Sequence, residues 1–412
     1  MILQFSVKNF RSIKNLLTID FRKMSINEHK ESLINDEILP VTVFYGPNGS
    51  GKSNILKAIS FLASYISTPI RNNDSMRQGS IEMTKMPVCS PYLLDNESKN
   101  EPTEFNIIFK IRKEETNEYS YFLSLLNGTV VSESLYEKQP LGKPAKLFER
   151  SGLDLTFGTK IQKITISNQI LVPQFAFLST CTMFLNVPLI SNVGLFFGRI
   201  LSLDYSDPSM ENHLNKISFN FMNNEELKQD LSRFIKCFSL GIEDYSIDPN
   251  KDIDFMHRVK TIHKNGSLTL ADESMGTIKV FMALTPLYLA LSGGGPIIID
   301  ELDAKIHPKL LEFIISLFTS PEVNKNGAQL VFTSHDMYTL NNKVFRRDEV
   351  WFVARDLDDS SFCYSLVDIK NEKNEKERSD ATYYKRYLEG KYGADPYFEK
   401  LLNWEIVSSE QQ

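Results

Sequence analysis

The run Gly46-Pro47-Asn48-Gly49-Ser50-Gly51-Lys52-Ser53 constrains this chain more than any other feature. It fits the pattern G-x-x-x-x-G-K-[ST], which works only as the turn between a buried strand and a helix. Both flanks agree. Val41-Thr42-Val43-Phe44-Tyr45 is a β-branched and aromatic run that predicts a buried strand, and Asn54 to Leu62 carries apolar residues at helical spacing. Successive backbone N–H groups in such a turn form an anion cradle, and the helix N-terminus adds partial positive charge. Gly46, Gly49 and Gly51 let the backbone approach phosphate, with Asn48, Ser50 and Asn54 beside them. Lys52 would reach the β- and γ-phosphates of a nucleotide, and the Ser53 hydroxyl would ligate Mg²⁺.

Three later segments fit the same chemistry. Pro296-Ile297-Ile298-Ile299-Asp300-Glu301 is an apolar strand ending in two carboxylates. A buried strand of this kind delivers Asp300 to the Mg²⁺ shell and places Glu301 to polarise an attacking water. Leu330 to Thr333 is a second apolar strand, followed by Ser334-His335-Asp336. His335 is therefore a candidate for orienting the water and the γ-phosphate at the ligand face of a parallel sheet. Between them in kind, Glu273-Ser274-Met275-Gly276-Thr277 opens a helix, with Ser274 as its cap and Gly276 allowing close backbone approach.

The bulk properties set limits. A chain of 412 residues exceeds the size at which one core stops growing, so a large elaborated domain or two lobes are expected. A net charge of −6 argues against a generally basic nucleic-acid binder, though a local basic face is compatible with it. Cys89, Cys181, Cys237 and Cys363 are widely spaced, which fits a reducing compartment better than a disulfide framework or metal site. The stretch from Ile164 to Gly198 carries no charge, but Pro173, Pro188 and several amides break it, so it reads as buried core and not as a membrane span. The expectation is a soluble cytoplasmic protein without membrane contact.

Coarse patterning divides the chain into three parts. Residues 1–158 read as strands around one helix: Gln4 to Val7, Leu17 to Phe21, Val41 to Tyr45, Phe105 to Ile111, Tyr119 to Leu126 and Thr129 to Tyr136, with a hairpin turn at Asn127-Gly128 and an irregular excursion from Ser67 to Asn100. Residues 159–265 read as a largely helical insertion or lid, with helices over Glu211 to Phe219 and Glu225 to Phe238 and strands over Ile242 to Ile247 and Phe255 to Ile262. Pro173, Pro188 and Pro208 and the lack of persistent heptads favour a compact lid or partner-docking domain there over a long coiled coil. Residues 266–412 alternate helix and strand and include a solvated mixed-charge loop, Lys370 to Asp380.

These motifs in this order resemble the ATP-binding cassette (ABC) ATPases, specifically the SMC/RecF/OLD-like branch. Met1 to Ile13 (MILQFSVKNFRSI) is similar to that branch's opening strand and N-F-R-S turn, and Ser274-Met275-Gly276-Thr277 to its signature in the S-x-G-T form. The resemblance spans roughly residues 1–62 and 267–357. It implies an α/β, P-loop ABC fold: a mixed sheet core with an antiparallel β subdomain and a helical insertion. It also implies that Arg11 contacts phosphate or ribose, that Leu302-Asp303 is the D-loop and that His335 is the H-switch. Ser274, Gly276 and Thr277 would then complete the ATP site of a second subunit. The Q-loop has no clear match; Gln78 is a poor one. Tyr384 to Pro396 resembles the tail of RloA/AbiL-type ATPases of prokaryotic phage defence, AAA family proteins encoded beside a separate toxic effector, often a nuclease.

The resulting expectation is an ATPase using ATP and Mg²⁺, dimerising around ATP as a homodimer or higher oligomer, and regulating a separate effector. The alternative is a RecF/SMC-like DNA-repair or DNA-clamping ATPase, so nucleic acid stays open as a partner. An autonomous nuclease fits less well, because only about 55 residues follow Ala354 and Asp356, Asp358 and Asp359 sit in a polar turn. A transporter cassette fits neither the opening turn nor the absence of a permease segment.

Overall fold

The computed structural model describes residues 1–77, 84–161, 171–185, 187–204, 225–250, 253–369 and 383–392. In chain order the first strands are β1 (Ile2–Lys8), β2 (Leu17–Asp20), β3 (Val41–Tyr45), β4 (Thr103–Phe109), β5 (Glu118–Leu126), β6 (Thr129–Lys138), β7 (Ala145–Ser151) and β8 (Asp154–Phe157). They are followed by β9 (Leu201–Asp204), β10 (Ile242–Ile247), β11 (Val259–His263), β12 (Gly266–Thr269), β13 (Pro296–Asp300), β14 (Gln329–Thr333), β15 (Val350–Arg355) and β16 (Ser361–Ser365). The helices are α1 (Lys52–Arg77), α2 (Phe177–Thr180), α3 (Pro188–Gly198), α4 (Glu225–Lys236), α5 (Phe255–Arg258), α6 (Met275–Gly293), α7 (Pro308–Thr319) and α8 (Tyr383–Leu388).

The site-bearing sheet has six strands in the order β16-β15-β3-β14-β13-β9. From β15 to β9 the pairings are parallel, and β16 closes one edge antiparallel. Strands covered on both faces lose the alternation of a half-exposed sheet and read as continuous apolar runs. That is the character of β3, β13 and β14, buried at every position. Successive side chains go to opposite layers. Ile298 and Val331 join the core around α1, whereas Ile297, Ile299, Leu330 and Phe332 join the core around α6 and α7.

The other large sheet is antiparallel, in the order β2-β1-β4-β5-β6-β7-β8. Its β5–β6 hairpin turns at Asn127 and Gly128, whose φ values of 50° and 76° suit a tight turn of the primed type. Helix α1 lies between the two sheets, which explains why its buried residues recur on more than one side. Aromatic packing ties it down: Phe61 stacks on Phe105 at 5.3 Å and meets Phe10 at 5.7 Å. Farther along the sheet, Phe196 of α3 stacks on Phe109 at 4.3 Å. Glu133 on β6, fully buried, accepts hydrogen bonds from the Phe177 and Leu178 amides at 2.6 and 2.9 Å and from the Tyr121 hydroxyl at 2.9 Å. Burial pushes its carboxyl up, and those amides and Arg150 oppose the push.

Several local readings need correction. Helix α1 runs to Arg77, through Pro69, so the first part of the Ser67–Asn100 segment is helix and not irregular chain. Tyr65, Ile66 and Ile70 keep its apolar face buried where the polar residues suggested an end. The segment from Phe255 is one helical turn before the strand, because the Asp254 carboxylate accepts from the Met256 amide at 3.1 Å and caps it. The helix expected over Glu211 to Phe219 lies outside the described residues, as do Gln78 and the 370–380 loop. Within the 159–265 stretch, α2 and α3 cover the antiparallel sheet, β9 extends the parallel one, and β10 and β11 form a small separate sheet with β12, which lies just beyond the stretch.

Helix α6 is long and apolar enough to cross a membrane by length and composition, but it is mostly buried inside the protein. Helix α8 packs its Tyr387 ring on Phe352 at 5.3 Å, so part of the C-terminal segment joins the core beneath β15.

Candidate functional site

The P-loop leaves the C-terminal end of β3 in the middle of the parallel sheet, where an open α/β sheet binds its ligands. The loop closes on neighbouring strands so tightly that side chains are excluded. At Gly46 a Cβ would fall 2.3 Å from the Val353 carbonyl oxygen on β15, and φ is +153°. At Gly51 it would fall 2.0 Å from Ser361 Oγ, with φ at +103°. Gly46→Ala combines a backbone clash with a disfavoured conformation, and is expected to destabilise the fold by about 3 kcal/mol. A thermal melt checks this; an unchanged midpoint would show that the loop is looser than its packing indicates.

Lys52 Nζ folds back over its own loop and donates to the carbonyls of Gly46 and Pro47 at 2.8 and 3.0 Å. Burial pulls its pKa down to about 8, against the charges of Asp300, Asp303 and Glu301. Those three carboxylates lie on the next structural unit. Strand β14 sits between β3 and β13, so Thr333 at its end stands beside the paired acids. Its hydroxyl donates to Asp300 Oδ1 at 2.6 Å, and its Oγ1 accepts the Glu301 amide at 2.7 Å. Glu301 is in the left-handed region, φ 53°, which turns the chain sharply after the strand.

The second oxygen of Asp300 is buried without a hydrogen-bond partner among the described residues, as are Asp303 Oδ1 and Ser50 Oγ. Buried acceptors in native proteins are normally satisfied. An orphan carboxylate oxygen near a phosphate loop fits a hydrated hard cation, since Mg²⁺ is usually held by one or two protein oxygens together with phosphate and water. Asp303 Oδ2 accepts the His335 amide at 2.9 Å, which fixes the start of the loop after β14. The His335 imidazole is held below its ordinary pKa, by partial burial first and by the Lys52 ammonium second. Lys52, Asp300, Glu301, Asp303 and His335 thus form one electrostatic group.

Ser274 caps α6, accepting the Thr277 amide at 3.1 Å and contacting Thr277 Oγ1 at 2.8 Å. It is exposed. A Cβ on Gly276 would come 3.0 Å from the Lys305 carbonyl, so the helix start abuts the turn after Glu301. Among the described residues, Ser274 and Thr277 form no hydrogen bond to the P-loop, and no P-loop atom lies within 4 Å of a Cβ on Gly276.

Arg11 is exposed, with its guanidinium over the Phe10 ring at 5.6 Å and its amide bonded to Ser90 O. Its neighbour Ser12 is the residue tied to the P-loop: Ser12 Oγ accepts from Asn54 Nδ2 at 2.7 Å and pairs with Ser361 Oγ at 2.7 Å. Ser361 Oγ in turn donates to Ser50 O at 2.7 Å. Arg355 Nε donates to the Gly49 carbonyl at 2.6 Å, placing a guanidinium on the loop's outer side. Lys279 on α6 is buried, and its ammonium donates to the Glu301 and Ala304 carbonyls at 2.9 and 2.6 Å. Sequence reasoning missed Ser12, Lys279, Thr333 and Arg355. Lys279 did carry a legible signal, being the one charged residue in the otherwise apolar and neutral α6.

Comparison with known proteins adds three findings. Two solved structures are similar to the chain: the SMC head domain from Thermotoga maritima, at 14% identity and a TM-score of 0.44, covering 88% of this chain and 98% of that one; and an SmcHead bound to the C-winged helix domain of ScpA, at 14% and 0.42, covering 88% and 97%. No curated protein matches. The model of a family described as "AAA domain, putative AbiEii toxin, Type IV TA system" matches residues 41–164 and 186–341, so the phosphate loop, the paired acids and His335 all fall within it, and the chain belongs to that AAA family.

Proposed function

We propose that this protein binds ATP with Mg²⁺ and hydrolyses it between two copies of the chain, as the regulatory subunit of a prokaryotic anti-phage system with a separate toxic effector. The observation that carries the catalytic part is the convergence of Lys52, Asp300, Glu301, Asp303 and His335 on one group at the C-terminal ends of adjacent strands. In this reading Lys52 leaves the Gly46 and Pro47 carbonyls for the γ-phosphate. Ser53 and Asp300 hold Mg²⁺, which neutralises phosphate charge when bound. Glu301 accepts a proton from water as the water oxygen attacks phosphorus and the bond to the ADP oxygen breaks. His335 orients the same water and phosphate. Arg11 or Arg355 would meet the nucleotide at the loop's rim.

Ser274, Gly276 and Thr277 are assigned to the partner copy's γ-phosphate. The exposure of Ser274, the partial exposure of Gly276 and Thr277, and the position of this helix start against the Glu301 turn of its own chain support a role across an interface. The defence role draws on the toxin–antitoxin description of the family and on the RloA/AbiL-like tail. The 159–265 stretch is the element we assign to docking the effector in the cytoplasm.

Ser274→Arg tests the trans site. It is expected to leave single-chain ATP binding within about twofold while blocking ATP-dependent pairing, since a bulky cation replaces the hydroxyl at a tightly packed contact. Nucleotide binding by equilibrium dialysis and mass by light scattering read the two effects separately. Pairing that survives the substitution would refute the assignment.

A further inference from the structure

A cavity of about 730 Å³ opens at the end of the parallel sheet opposite the P-loop. Gly295 just before β13, Asn326 just before β14 and Leu201 at the start of β9 line it, so it faces the N-terminal ends of those strands. Arg71, Arg112, Lys113 and Arg199 also line it, against a single carboxylate, Glu114. In a protein whose net charge is −6, four cations around one recess is a local reversal of sign.

Among the described residues, these arginines have no acidic partner. Arg22, Arg150, Arg346 and Arg347 each have a carboxylate within 4 Å. Arg71, Arg112 and Arg199 have none among the described residues; Arg71 makes a 3.4 Å hydrogen bond to Thr68 Oγ1 within its own helix. Guanidinium groups could be recruited by the carbonyl end of α6, which reaches the cavity at Ser292 and Gly293. That end is already satisfied, because Asn326 Nδ2 donates to the Leu291 and Ser292 carbonyls at 3.2 and 2.8 Å. The volume lies in the range of small-molecule sites. Ile111, Leu201 and Leu289 supply an apolar wall beside the cations.

We propose that this cavity is a second ligand site, which takes a phosphate-bearing molecule of nucleotide size: Arg112 and Arg199 fork the phosphate and the apolar wall seats the rest. Planar forked donors are the side chains best suited to bidentate phosphate binding. The location gives such a ligand a route to the catalytic pole. Arg71 stands on α1, about 29 Å along the helix from Lys52, and Ser292 stands on α6, about 26 Å from Met275. The helix that begins at the phosphate loop therefore passes this cavity in its last two turns, and the helix that begins at Ser274 ends at it.

The test uses full-length Lys52→Ala protein, so that binding at the P-loop does not mask the second site. Calorimetry with pyrophosphate, and with ADP as a phosphate carrying a flat base, is expected to show one remaining site for each. The added pair Arg112→Gln and Arg199→Gln, both exposed, should weaken that binding about 100-fold with an unchanged melting profile. Absence of binding in Lys52→Ala protein would overturn the proposal while leaving the P-loop assignment standing. Binding unaffected by the arginine pair would overturn it as well. So would a 20-nucleotide single strand that binds these arginines while neither small probe does, since the cavity would then be part of a polymer surface.

Discussion

Lys52→Ala is expected to weaken ATP binding by about 100- to 1,000-fold and to leave the fold intact. The ammonium is buried, with its pKa pulled down to about 8, and it rests on two carbonyls of its own loop. A charge-assisted contact to phosphate in such a site contributes about 3–4 kcal/mol when its loss leaves the partner charge uncompensated. That energy corresponds to the stated loss of affinity. Stability should change little, because the substitution also removes a poorly solvated cation, and the Pro47 carbonyl it leaves is only partly buried. Fluorescent-nucleotide titration beside a melting curve checks both halves. Retained affinity in a folded variant would mean that the loop's backbone amides alone hold the nucleotide.

Glu301→Gln is expected to lower ATP turnover by about 100- to 10,000-fold while ATP binding persists. Glutamine keeps the shape, the left-handed turn at φ 53° and the amide bond to Thr333 Oγ1, and removes only the proton acceptor. The ATP-bound form should then accumulate as a pair of chains. Single-turnover kinetics give the chemical step, and light scattering with and without ATP and Mg²⁺ gives the mass. Turnover at the wild-type rate would move the water-activating role to another group, with His335 the nearest alternative in the same electrostatic cluster.

The parts of the site that lie on one continuous segment were legible before any coordinates. The P-loop, the β13 carboxylates and the β14 histidine each announce themselves as an apolar run followed by an abrupt polar ending, because strands buried on both faces leave no alternation to confuse them. Contacts between segments were not legible. The Ser12–Ser361–Ser50 chain joins residues 349 positions apart, and nothing in a serine's local pattern says what it will meet. The resemblance of the N-F-R-S turn points to Arg11, yet it is Ser12 that the structure ties to the loop region, through Asn54. Helix α1 was read short because its second half is polar on one side, while its buried side is set by two sheets that only tertiary structure supplies.

The Lys279 clamp has a consequence for timing. The helix whose first residues we assign to the neighbour's phosphate is bolted, by one ammonium, to the backbone of the residue we assign to water activation in its own chain. Those two hydrogen bonds couple the parts, so in the proposed pair release of a phosphate on one side would disturb the water on the other. Two bound nucleotides would then behave as a single event with a shared clock, and a protein built this way would report the presence of both, or of neither.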